Sequence, residues 1–340
     1  MNRYTISLAT LALLAACQDS TGPRPEALEQ GDLSPAPSLA PTGTEASLAQ
    51  RHLWAVVNQN GTLARGSRVT GVTYLGVGRY EVTFDRNVAG CAYIATTRNA
   101  YSQALGVYTA GGHLGANGVY IETKNQGGGL TDGPFNLLVA CGPNSTRFAV
   151  VGYSSNLVRA TSGTTLTDLG AGRYQIRFAS GVGGCAYLAT VADPANGLVF
   201  SPSGVYTGKG PDSRTVYIET KNPGGGLQPG VPFHLSVICS GTSSSRFAVV
   251  KANGGKQRGS TGTASILGST GNYQLSNDIN VSACAALATR GSVNTAVPFS
   301  PATVEITPGA TNKSFGVQVR ELLFFGGALA DQAFHAAVIC

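Results

Sequence analysis

The sixteen residues Gly78–Tyr93, GRYEVTFDRNVAGCAY, return as GRYQIRFASGVGGCAY at Gly172–Tyr187 and as GNYQLSNDINVSACAA at Gly271–Ala286. Other landmarks keep step with the phrase. Trp54, Phe148 and Phe247 each stand 37 residues before its cysteine, and Tyr80, Tyr174 and Tyr273 each stand 11 before it. Arg65, Arg159 and Arg258 follow the opening aromatic by 11 in every copy. PFNLLVAC, PFHLSVIC and AFHAAVIC close the copies at Cys141, Cys239 and Cys340. Self-similarity at a long fixed period marks an array of like units. The expected organisation is three modules over 51–141, 148–239 and 247–340, separated by connectors of six and seven residues.

Within a copy the pattern is that of strands. Tyr80, Val82 and Phe84 alternate with Glu81, Thr83 and Asp85, a two-residue period that buries one face. CAYIAT is apolar on both faces and predicts a central strand. Gly, Asn, Asp and Pro interrupt at short intervals (QNG, DRN, NQGGG, TDGP), as in a sandwich or barrel. The expected fold class is all-β: three tandem small antiparallel β-sandwich or barrel-like modules, each with one internal disulfide, after a signal peptide and a flexible tether.

Seven cysteines leave two per copy once Cys17 is set aside. Six cysteines allow 15 pairings, and the repeat favours Cys91–Cys141, Cys185–Cys239 and Cys284–Cys340, each bridging through its module's core. The gaps of 50, 54 and 56 residues, with no CxxC, argue against zinc. No metal and no cofactor are expected.

The N-terminus gives the address. Arg3 precedes a nine-residue apolar run, Leu8–Ala16, too short to span a bilayer as a helix. Leu14-Ala15-Ala16-Cys17 resembles the lipobox of bacterial lipoproteins. That resemblance implies a signal peptide at 1–16 and acylation of Cys17, and Gln18 after it implies sorting to the outer membrane or cell surface. Residues 17–50, rich in Pro, Ser, Thr and Ala without an aromatic, read as a disordered tether. The modules themselves resemble short β units that recur in secreted and surface proteins of bacteria. That likeness covers roughly 51–340 and implies architecture rather than activity.

No catalytic constellation stands out. GxSxG, HExxH, EF-hand and Walker patterns are missing from the sequence. GGG at Gly127 and Gly224 reads as a hairpin turn rather than a phosphate cradle. His234 and His335 share one repeat position, filled by Asn136 in the first copy, and are expected on a surface or sheet face. VYIETKN at Val119 and Val216 sets Tyr120, Glu122 and Lys124, and again Tyr217, Glu219 and Lys221, on one strand face. Exposed, that face would suit a glycan or a surface protein; as ordinary outward packing it would carry a lateral ion pair. Residues 51–340 hold 21 basic against 12 acidic residues, scattered without a cluster, which does not favour specific nucleic-acid binding. The expected function is a membrane-anchored surface lipoprotein displaying three β modules for adhesion, structure or ligand binding. The alternative is an extracellular polysaccharide hydrolase. The sequence leaves the oligomeric state open.

Overall fold

The computed structural model describes residues 52–98, 106–141, 147–197, 203–239, 244–295, 302–321 and 327–340. The lipobox, Cys17 and the tether lie outside them. The described residues are all-β, with no helix.

The first sequence repeat supplies β1 (Leu53–Val57), β2 (Leu63–Ser67), β3 (Val69–Gly76), β4 (Arg79–Phe84), β5 (Ala92–Arg98), β6 (Gly106–Gly111), β7 (Gly118–Lys124) and β8 (Phe135–Ala140). The second supplies β9 (Arg147–Val151), β10 (Leu157–Ala160), β11 (Thr165–Gly170), β12 (Arg173–Arg177), β13 (Ala186–Val191), β14 (Gly204–Lys209), β15 (Thr215–Lys221) and β16 (Phe233–Ile238). The third supplies β17 (Ser245–Val250), β18 (Lys256–Gly259), β19 (Ala264–Ser269), β20 (Asn272–Ser276), β21 (Ala285–Thr295), β22 (Ala302–Pro308), β23 (Ser314–Glu321) and β24 (Phe334–Ile339). Pairing follows one plan in all three. The first repeat forms the antiparallel sets β2-β1-β8-β5 and β3-β4-β7-β6, and the other two repeat both orders.

The opening phrase explains itself in β4 and β5. Gly78, Gly172 and Gly271 have φ of +66°, +78° and +66°, a region that costs an L side chain dearly. A Cβ on Gly78 would also meet the Thr123 carbonyl at 2.6 Å. Tyr80, Val82 and Phe84 then point into an apolar core with Leu53, Ile121 and Leu137, drawn from both strand sets. The cysteine that follows starts the β5 edge. Cys91–Cys141, Cys185–Cys239 and Cys284–Cys340 are bonded, with Cα separations of 4.5, 4.3 and 4.3 Å. Each bond runs sideways rather than through the core. It continues the antiparallel pair Ala92↔Ala140 and its equivalents, clamping two neighbours of one sheet while the sulfurs pack on the core face.

The repeats are not beads on connectors. β22 pairs with β5 in parallel through Glu305↔Thr97 and Ile306↔Arg98. β14 pairs with β21 in parallel through Thr207↔Gly291, and Thr109 of β6 bridges Ala192 just beyond β13. Repeat 1 thus joins repeat 2, repeat 2 joins repeat 3, and repeat 3 returns to repeat 1. Three equivalent edges, each a template for unwanted strand addition, are consumed by this closure.

A shared core forms where the three meet. Trp54, Val56, Ile94 and Leu138 pack with Leu188 and Ile238 of the second repeat and with Phe247, Leu287 and Ile339 of the third. This explains the double-sided apolar reading of CAYIAT. One face of β5 (Tyr93, Ala95) serves its own repeat, while Ile94 serves the common core.

Candidate functional site

The polar residues that recur at fixed spacing converge on the three seams between repeats. The threonine five places after each phrase cysteine binds across its seam. Thr190 accepts from the Ala95 amide at 2.8 Å and donates to the Ala95 carbonyl at 3.1 Å. Thr289 does the same to Ala189 at 2.9 and 3.1 Å, and Thr96 to Ala288 at 3.0 and 3.0 Å. The landmark arginines follow the same cycle. Arg159 donates through Nε to the Cys91 carbonyl at 2.9 Å, Arg258 to Cys185 at 3.0 Å, and Arg65 to Cys284 at 3.0 Å. Constant spacing marks the arginines in the sequence; the threonines share it but are not singled out. The partners of both cannot be read there, because each lies in a different copy.

The two repeated histidines lie on sheet faces, in β16 and β24, but fully buried rather than at the surface. His234 Nδ1 accepts the Tyr93 amide and His335 Nδ1 accepts the Tyr187 amide, both at 2.8 Å. His335 Nε2 lies 3.0 Å from the Ser292 carbonyl and donates to it, which fixes the neutral tautomer. A second proton would have to sit on Nδ1, against an N–H. Burial lowers both pKa values, aided by Arg159 and Arg258, and brings His335 to about 3. With the folded value below the free value near 6.5, stability is full above pH 6.5 and is lost as pH falls toward 3. Each unit removes about 1.4 kcal/mol per histidine as the unfolded chain takes up protons. Melting temperature measured against pH is therefore expected to fall steadily from 6.5 to 4. In His335→Asn, the side chain that repeat 1 uses at Asn136, the slope should be shallower.

The Tyr/Glu/Lys face is also buried rather than exposed. Tyr120, Glu122 and Lys124 expose 3, 4 and 5% of their surface, and Tyr217, Glu219 and Lys221 expose 6, 3 and 4%. Tyr120 donates to Glu122 at 3.0 Å, and Lys124 pairs with Glu122 at 2.9 Å while lying 5.0 Å from the Tyr108 ring centroid. Repeat 2 matches, with Tyr217–Glu219 at 2.8 Å and Lys221–Glu219 at 3.2 Å. Burial and the adjacent carboxylate raise both phenols, keeping them as donors. Repeat 3 keeps the charge pair but moves the acid to the neighbouring strand. Gln318 stands where the glutamate was, and Arg320 pairs with Glu305 of β22 at 2.8 Å. The covering comes from loops the periodicity could not place. Residues 111–118 fold back so that His113 stacks on Tyr120 at 3.8 Å. The His113 and Leu114 amides bind the fully buried Glu81 carboxylate at 2.9 Å each. The Tyr/Glu/Lys side chains are buried and pair with one another inside the body.

A cavity of about 120 Å³ opens where the three repeats meet, lined by Thr96, Thr97, Tyr108, Thr190, Thr289 and Arg290. Drug-sized ligand sites occupy roughly 300–1,000 Å³, so this space suits a few waters. Burial lowers the Arg290 guanidinium to about 10, and it donates to the Ala333 carbonyl at 2.9 Å. Among the described residues no group of three or more His, Cys, Asp or Glu gathers as a metal site. No described helix is long and apolar enough to cross a membrane. Three disulfides are those of a chain matured in an oxidising compartment. No protein-family model, curated protein or solved structure matches the chain.

Proposed function

We propose that this is an exported lipoprotein, anchored through Cys17 to the outer membrane or cell surface, that displays a rigid body for adhesion, structure or ligand binding. In this reading each repeat is a small antiparallel β-sandwich module, and the three close into a ring on a flexible tether. The observation that carries it is the threefold recurrence of the seam contacts. The repeated threonines and arginines are spent on holding the modules together. The lipobox-like LAAC, the tether composition and the disulfides supply the address.

Recognition in this reading belongs to the outer edges rather than the centre. Tyr74, Leu75 and Val77 expose large apolar surface at the β3–β4 turn, and Leu169 and Ile266 do so on the matching strands of repeats 2 and 3. Exposed aromatic and aliphatic side chains suit a glycan or protein partner. The test is binding of the full chain to a glycan array and to whole cells. Saturable binding is expected, reduced by about tenfold in Tyr74→Ala/Val77→Ser if one aromatic anchor supplies 1–2 kcal/mol. Hydrolysis of a polysaccharide, abolished by one carboxylate substitution in one repeat, would overturn the proposal.

A further inference from the structure

Two of the three seams carry the same arginine–tyrosine–histidine cluster. Between repeats 1 and 2 the Arg159 guanidinium lies 5.7 Å from the Tyr93 ring centroid, and that ring packs on His234 at 5.1 Å. Between repeats 2 and 3 Arg258 lies 5.2 Å from Tyr187, which packs on His335 at 4.9 Å. Each phenol also donates to a carbonyl, Tyr93 to Val88 at 2.9 Å and Tyr187 to Val182 at 3.0 Å.

The third seam departs from this plan at both partners. Ala286 occupies the tyrosine position and Asn136 the histidine position. Both changes remove volume, and they face each other, with Asn136 Nδ2 donating to the Ala286 carbonyl at 2.5 Å. A cleft of about 240 Å³ lies here, lined by Arg65, Arg98, Val281, Ser282, Ala286 and Thr307, among others. Val281 is the counterpart of Val88 and Val182, so the phenol's acceptor persists without the phenol.

Charge in this cleft is one-sided. No aspartate or glutamate is among its lining residues. Arg65 spends Nε on the Cys284 carbonyl, and Arg98 Nη1 is buried with no hydrogen-bond partner among the described residues. Burial, then the nearby Arg98, lowers Arg65, and burial lowers Arg98. Elsewhere the arginine is supported by its tyrosine, and at Arg159 also by Asp193. Two guanidiniums without an acidic residue in the described lining, beside the Thr307 hydroxyl, match a tetrahedral oxyanion, whose oxygens accept from guanidinium forks.

We propose that the seam between repeats 1 and 3 is an oxyanion-binding site for phosphate or sulfate, free or as an ester, held by Arg65 and Arg98. The inference is independent of the display reading above. It is tested by calorimetric titration of the oxidised full-length chain with sodium phosphate, sodium sulfate and glucose 6-phosphate, each against sodium chloride at matched ionic strength. Saturable binding to one site is expected. Tighter binding of the ester would identify a phosphorylated larger ligand, and equal binding the free ion; both sustain the site. Arg98→Gln should weaken binding by about tenfold or more, the usual loss for a charge-assisted hydrogen bond. Ala286→Tyr should abolish it by placing beside Arg65 the ring that Arg159 and Arg258 already face, with Val281 ready to accept the phenol. The chain already folds around this arrangement twice, so the variant should fold. Absence of saturable binding by the parent chain to any of the three ligands would overturn the proposal. So would phosphate binding undiminished in both folded variants.

Discussion

Leu287→Asp is expected to leave the entire body unfolded, not the third repeat alone. Leu287 is fully buried in the shared core, where it packs among Trp54, Leu188, Ile238 and Phe247 from the three repeats. The described residues of that cluster are apolar, and leaving a charge unpaired in such a place costs several kcal/mol. Domain stabilities of roughly 5–15 kcal/mol do not tolerate that cost. Leu287→Ala offers the milder version. It removes about 2–5 kcal/mol and is expected to lower one common transition, monitored by circular dichroism. If Leu287→Asp left the unfolding of repeats 1 and 2 unchanged, the common core would have no energetic weight.

The second large effect comes from the disulfides. Joint replacement of Cys91 and Cys141 by alanine should cost about 4 kcal/mol, the loop-closure entropy for roughly 50 residues. The bond sits at the end of the β5–β8 pair, and β5 is also the strand that receives β22 from repeat 3. Loss of the clamp therefore frays a seam as well as a sheet. Denaturant titration of the paired variant against the parent chain measures the shift. Reduction of all three bonds should prevent refolding at 37 °C, and retention of the native midpoint after reduction would contradict this.

Much of the fold could be read from the residues. The Tyr80–Phe84 alternation, the repeated cysteine and the turn glycines each report a local rule: period two, a cross-link, a positive φ. The pairing Cys91–Cys141 followed from repetition alone. The seams could not be read, because they join residues separated by up to 219 positions whose local pattern is ordinary. Ile94 and its counterparts Leu188 and Leu287 announced burial on a second face but not what would cover it. His234 and His335 carried no local sign that a neighbouring strand's amide awaits them. Tyr120, Glu122 and Lys124 read as an outward face, yet His113 of the loop over 111–118 stacks on Tyr120, and Lys124 packs by Tyr108. Ala286 was visible as a departure from CAY, yet its meaning appears only beside Arg65, Arg98 and Asn136.

The central claim is that three repeats form one cooperative body through contacts that close on themselves. Differential scanning calorimetry of the oxidised full-length chain tests it most directly. Closure predicts a single transition in which the van't Hoff and calorimetric enthalpies agree, as in an all-or-none domain. A van't Hoff enthalpy near one third of the calorimetric value, or three separable transitions, would mean that the repeats melt independently and would contradict the account.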